Sequence, residues 1–347
     1  MDNNEEKKIR VAITHGDING VGYEVIIKTF SDSRMFDLCT PILYGSSKVA
    51  SYHKKLLTSV TQEMNFNAIH DASEAQDRRY NVLNLTQDEV KIDLGKSTEI
   101  AGELSRKSLD RACEDLKKGK VDVLVTAPIN KRNIQAPDFD FPGHTEYLSH
   151  QFGASSLMLM VCDRIRIGIV TNHLALKDVP AALTHDLLIS KITILNQSLK
   201  RDFGITRPKI AVLALDPHAG DNGVIGDFDA RVIMPVIDEA QNNGILAYGP
   251  FPSDGFFGSE QFNKFDGVLA LYHDQGLIPF KLMSFTEGVN YTAGLPYVRT
   301  SPAHGTGYDI AGKDRASEQS MRSAVYLACN ILRNRQEYDL LNANPLK

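Results

Sequence analysis

The sequence predicts an α/β protein of two domains on mostly parallel sheet, and three observations predict it. Short apolar runs at Arg10–Thr14, Pro41–Tyr44, Asn81–Leu85 and Val121–Thr126 alternate with segments of helical period, the pattern of βαβ units. Runs such as Ile210–Leu215 and Val268–Leu271 are continuously apolar, as strands covered on both faces are. The chain has 347 residues, beyond the size at which one core usually stops growing, so two domains are expected.

The elements follow in order. A helix is predicted over Gly102–Lys118, where Leu104, Leu109, Ala112, Cys113 and Leu116 share a face, Lys117 and Lys118 suit the carboxyl end of the dipole, and Gly119 closes it. From Arg132 to Gly143 the sequence RNIQAPDFDFPG has no period and two prolines, so it is read as a loop crossing between lobes, and the first boundary is placed there. A second helix over Asp186–Lys200 stacks Leu188, Ile192, Leu195 and Leu199, with Thr184 as its cap, and Pro208 breaks the chain before the next strand. The second boundary is less marked, because strands and glycine turns run without pause from Phe265 to Gly312. Ser317–Arg333 is a closing amphipathic helix carrying Met321, Ala324, Val325, Ala328, Ile331 and Leu332.

Composition narrows the partner. A net charge of −5, with no stretch that clusters Lys and Arg among aromatics, argues against a nucleic-acid surface and for a small ligand. Cys39, Cys113, Cys162 and Cys329 are scattered without a C-x-x-C pair, as reduced thiols in a cytoplasm would be. The polar start MDNNEEKKIR holds no apolar signal core, and no run reaches the roughly 20 apolar residues of a membrane span. A cytoplasmic protein with no membrane partner is expected.

Familiar nucleotide and hydrolase motifs fail. In THGDINGVGYE the order of Gly16, Gly20 and Gly22 does not give G-x-G-x-x-G, so no Rossmann fingerprint is present. Gly95-Lys96-Ser97 imitates the end of a P-loop, but Val90 stands where that loop needs glycine. Neither G-x-S-x-G nor H-E-x-x-H occurs.

What remains is a set of histidines. His173, His218 and His273 each follow an apolar run (GIVTNHLAL, IAVLALDPHAG, GVLALYHDQG), which places them at strand carboxyl ends, where open α/β sheets bind ligands. Each could be a satisfied strand-end histidine. Together, beside Asn172, Asp216 and Asp274, three neutral imidazoles from separate loops suit a divalent metal with an open coordination position. The segment Tyr272–Gly312 adds Lys281, Arg299, Asn290, Thr300, Ser301 and Thr306 among glycines, the parts of an anion pocket. His144 and Thr145, in PGHTE, add an imidazole and hydroxyl, with Thr145 also readable as a helix cap.

The motifs VTAPINK, PGHTEYL, TNHLALKDVP, DPHAGDNGVIGDFD, GPFPSDGFF, LYHDQGLIPFK and GVNYTAGLPYVRTSPAHGT make the chain resemble the 4-hydroxythreonine-4-phosphate dehydrogenases of pyridoxal phosphate (vitamin B6) biosynthesis over nearly its whole length. HGTGYDIAGK is similar to the nucleotide loop of isopropylmalate dehydrogenases. The resemblance implies an isopropylmalate dehydrogenase-like, three-layer αβα fold: a cofactor-side domain of residues 1–135 plus 295–347, and a metal, substrate and dimerisation domain of residues 136–294. It implies that His173, His218 and His273 bind the metal (zinc, magnesium or cobalt) at a homodimer interface, and that His144, Thr145, Lys281, Asn290 and Arg299 hold a phosphorylated substrate. Asp254 is placed near the reacting carbon. Lys281 is a second candidate proton carrier, and His304, Gly305, Thr306 and Asp309 would face NAD or NADP. One departure stands out: relatives commonly carry Pro-Ala-Gly-Ile-Gly-Pro where this chain reads Ile18-Asn19-Gly20-Val21-Gly22-Tyr23.

The implied chemistry is oxidation of a secondary alcohol beside a metal, then loss of CO₂ from the resulting β-keto acid. The substrate expected is 4-phosphooxy-L-threonine, giving 3-amino-2-oxopropyl phosphate. Two alternatives stay open: the same chemistry on threonate or erythronate 4-phosphate, and a metal-dependent phosphoester hydrolase.

Overall fold

The computed structural model describes residues 8–343 apart from 62–63, 87 and 138. The first residues of the polar N-terminal stretch lie outside that range. Contacts divide the chain into two compact units, Met1–Tyr147 with Tyr297–Leu332, and Leu148–Pro296 with Arg333–Lys347.

The first unit opens with β1 (Ile9–Thr14), β2 (Cys39–Gly45), β3 (Phe66–Ile69), β4 (Tyr80–Asn84) and β5 (Val123–Thr126). The second holds β6 (Leu157–Val161), β7 (Arg166–Ile169), β8 (Lys209–Leu213), β9 (Leu246–Phe251), β10 (Gly267–Ala270) and β11 (Val289–Ala293), after which β12 (Val298–Pro302) returns the chain to the first. In the first unit the order is β3-β4-β2-β1-β5-β12 and every pairing is parallel. In the second the order is β11-β6-β7-β10-β8-β9, with β7, β10, β8 and β9 parallel and β6 antiparallel to both neighbours. The α/β, mostly parallel class read from the sequence is therefore the one observed.

The strands form because their side chains are apolar on both faces: β2 and β6 are buried at every residue. Helices cover each face. In β10, Gly267 lies against Leu195 and Leu199 of the helix His185–Arg201, and Ala270, of opposite parity, lies against Gly276 of the helix His273–Met283. In the first unit Thr300 Oγ1 donates to Ala324 O on the helix Gln319–Asn342 (2.8 Å), and its neighbour Arg299 turns to the opposite face.

Helix ends differ from the sequence reading for definable reasons. The helix Glu99–Lys117 starts three residues before the predicted Gly102, because Thr98 caps it by accepting from Ala101 N–H (3.4 Å) and Glu99 opposes the dipole. The last helix runs on to Asn342, beyond the predicted Arg333. Its final turns are held by polar bonds in place of an apolar stripe: Arg335 Nε to Asp202 Oδ1 (2.7 Å) and Asn334 Nδ2 to Asp202 O (2.7 Å). Thr184 does cap its helix. Thr145 does not, because that helix begins one residue earlier, at His144, and puts Thr145 inside the first turn. Cys39, Cys113, Cys162 and Cys329 are thiols outside any disulfide. No helix among the described residues is long and apolar enough to cross a membrane.

Candidate metal and anion sites

In the second unit β7, β10 and β8 are adjacent and parallel, so the turns after them emerge on one edge. His173 follows β7, His273 follows β10 and His218 follows β8. The rings of His173 and His273 lie with centroids 5.9 Å apart. Two imidazoles bound to one cation at about 2.1 Å would have centroids roughly 5 Å apart, so the pair fits a divalent metal in spacing as in donor type. Asp274 Oδ1 lies 2.8 Å from His273 Nδ1, which orients the ring and leaves Nε2 as the ligating nitrogen. Among the described residues, no three His, Cys, Asp or Glu side chains form a complete ligand group within the one chain.

His218 sits in an unusual backbone. It begins a stretch through Asn222 in which every residue has positive φ, His218 itself at 55° and Asn222 at 54°. Left-handed helical backbone costs L-residues about 1–2 kcal/mol each, so the turn must be held from outside. Asp229 does this, accepting from Leu215 N–H (2.8 Å) and Asp216 N–H (2.9 Å) while buried. Gln275 braces the same edge. Its Oε1 accepts from Leu271 N–H (2.7 Å), and its Nε2 donates to Ala214 O (2.6 Å) and Ser253 Oγ (2.9 Å), joining the ends of β10, β8 and β9. Sequence reasoning singled out neither residue, although both lie in quoted motifs, GDFD and HDQG.

The other candidates of this unit are spread. Asp254 is exposed in the short helix Ser253–Gly258 after β9, and Asn290 is on β11, its Oδ1 out of solvent without a hydrogen-bond partner. Lys281 is exposed and lies eight residues along the helix from His273, about 12 Å down its axis.

The first unit brings His144, Thr145 and Arg299 to one buried place. Arg299 is 2% exposed and donates through Nη2 to Thr126 Oγ1 (2.6 Å). Burial pushes its guanidinium down to about 9, opposed by the Glu146 carboxylate. His144 stays neutral, held well below the ordinary imidazole range by burial and then by the positive charges of Arg299 and Lys131. Its Nε2 is out of solvent without a partner. Two cations beside an unsatisfied imidazole nitrogen make a cradle for an anion with acceptor oxygens. Lys131, the last residue of VTAPINK, was not among the sequence candidates.

His304, Gly305, Thr306 and Asp309 lie on a loop after β12. His304 donates from Nδ1 to Gly305 O (2.9 Å), its Nε2 is out of solvent and unpartnered, and burial lowers its pKa. The loop thus offers a neutral imidazole whose Nε2 accepts and a hydroxyl that donates or accepts, groups suited to the ribose hydroxyls and phosphate oxygens of a dinucleotide.

The family model described as pyridoxal phosphate biosynthetic protein PdxA matches residues 37–328. The chain is 51% identical over 345 residues to a 4-hydroxythreonine-4-phosphate dehydrogenase of Bacteroides thetaiotaomicron, covering 99% of this chain and 94% of that relative. A protein of the same name from a Sulfurihydrogenibium species is 38% identical over 329 residues, covering 94% of this chain and all of the relative. The crystal structure of the Klebsiella pneumoniae 4-hydroxythreonine-4-phosphate dehydrogenase is similar with a TM-score of 0.80 at 31% identity, covering 95% of this chain and 99% of that one.

Proposed function

Because the chain belongs to the PdxA family of pyridoxal phosphate biosynthetic proteins, we propose that it oxidises 4-phosphooxy-L-threonine with NAD and a divalent metal, releasing CO₂ and 3-amino-2-oxopropyl phosphate. The observation that carries this reading is the alignment of His173, His218 and His273 on three adjacent parallel strand ends, two of their rings 5.9 Å apart. The relatives' names favour a dehydrogenase over the hydrolase alternative.

When bound, the cation supplies Lewis-acid polarisation at the substrate hydroxyl and NAD supplies the hydride acceptor. The protein's own residues do the rest. His173, His218 and His273 hold the cation, with Asp274 fixing the ring of His273. Arg299, His144 and Thr145 bind the phosphate, with Lys281 as a further cation and Asn290 as a polar partner. Arg299 needs no deprotonation for this, since even lowered to about 9 it remains charged at neutral pH. Asp254 or Lys281 takes the hydroxyl proton.

The functional unit in this reading is a homodimer with shared active sites. Ile278 and Leu282, four residues apart on the helix that carries Lys281, are 59% and 84% exposed, and Phe285 in the turn just after it is 79% exposed, an apolar patch. A second copy covering that patch would bring Lys281 to the partner's metal site. The test follows NADH absorbance with NAD, metal and either 4-phosphooxythreonine or erythronate 4-phosphate. Turnover with the first supports the proposal, preference for the second moves the substrate to a sugar acid, and no turnover with either overturns it.

A further inference from the structure

The segment Ile18–Tyr23, in the loop after β1, is tied down by its own side chains. Asn19 is fully buried and all of its polar atoms are used. Its Oδ1 accepts from Asp93 N–H (2.8 Å), its Nδ2 donates to Lys96 O (3.0 Å) and Thr98 Oγ1 (2.9 Å), and its carbonyl accepts from Gly95 N–H (2.8 Å). Its own N–H donates to Asp17 Oδ1 (2.9 Å). Tyr23 is held between the rings of His15 and His53, at 5.3 and 5.0 Å, and its hydroxyl accepts from Ser46 N–H (3.1 Å). Prolines at 18 and 23 would stiffen this loop by fixing φ. Here a buried amide and a three-ring stack do so.

Both segments joined by Asn19 press on the loop at 304–313. Val21 N–H donates to Thr306 O (2.9 Å), and a Cβ on Gly20 would stand 2.5 Å from that oxygen, so only glycine allows the approach. From the other segment, a Cβ on Gly95 would stand 2.8 Å from Tyr308 O. The Tyr308 hydroxyl donates to Asp17 Oδ2 (2.7 Å) and accepts from Asn130 Nδ2 (3.0 Å).

We propose that Asn19 is a positioning residue for the dinucleotide: by fixing residues 93–98 to the loop after β1, it sets Thr306 and Tyr308 in the conformation that receives the cofactor. This rests on the proposed use of NAD and on the reading of the 304–313 loop as its binding loop. Asn19→Ala leaves the reacting groups in place and frees segment 93–98, so NAD must order the loop as it binds. That ordering costs about tenfold in affinity.

The test is calorimetric titration of NAD into the wild-type, Asn19→Ala and Thr98→Ala proteins, with both Michaelis constants and the melting temperature measured alongside. About tenfold weaker NAD binding in Asn19→Ala is expected, with the phosphorylated substrate's KM unchanged and a smaller loss in the same direction for Thr98→Ala. A folded Asn19→Ala protein with wild-type NAD affinity overturns the proposal, as does a fall in kcat alone. Should Asn19→Ala fail to fold, unchanged NAD affinity in Thr98→Ala overturns it. A wild-type protein that binds no NAD removes the cofactor assignment itself, a different result from either.

Discussion

The two units present their candidate residues in opposite ways. In the second, His173 and His218 are exposed and His273 is half-buried, so removing any one of these rings empties no core. In the first, Arg299, Asp17 and Asn19 are buried, and each is held by hydrogen bonds that belong to the fold as much as to the site. Function and stability should therefore separate cleanly at the histidine edge and remain coupled around the anion cradle.

The largest expected effect tests the first half of that contrast. His273→Ala should reduce turnover by about 1,000-fold or more, with the melting temperature nearly unchanged, because a lost ligand empties no core. A large fall in melting temperature would erase the distinction. Next, Arg299→Ala should raise the phosphorylated substrate's KM by about 100-fold and also lower the melting temperature by several degrees, since it leaves Glu146 without its buried counter-charge. Loss of affinity without loss of stability would place Arg299 in the same class as the histidines.

A third effect is visible in pH. Burial holds His15 and His53 down to about 4, from 6.5 in the unfolded chain. Between those values the unfolded state binds more protons, so stability is full above about 6.5 and falls as pH drops towards 4. At pH 5 the loss is about 2 kcal/mol for each histidine. Denaturant titrations at pH 8 and pH 5 should show it, and His53→Phe, which keeps a ring against Tyr23, should remove about half. An identical pH dependence in that variant would contradict the assignment. The smallest effect belongs to Asp274→Ala, which should weaken metal binding about tenfold through loss of the 2.8 Å contact that orients His273. Unchanged metal affinity would show that the carboxylate does not set the ring.

Much of this was legible in the sequence. Apolar runs marked the strands, and a histidine just past each run was enough to place three of them after adjacent parallel strands, because such strands share their carboxyl side; of the three rings, those of His173 and His273 lie close together. The braces were not legible. Gln275 joins the ends of three strands, and Asn19 reaches residues more than seventy positions away, so neither leaves a local period. The left-handed turn at His218 was hidden for another reason: Ala219 is no signal for positive φ, and the backbone there is held by Asp229, distant in sequence, together with the turn's own hydrogen bonds. The antiparallel pairing of β6 was equally silent, since its side chains are apolar at every position.

Cobalt(II) titration of metal-stripped protein, read by visible absorption and by NADH formation in the same samples, addresses the central claim directly. One equivalent per chain should bind and turnover should rise in parallel, while His173→Ala, His218→Ala and His273→Ala should each lose both signals. Full activity in the stripped protein, or undiminished cobalt binding in the three variants, would contradict the account.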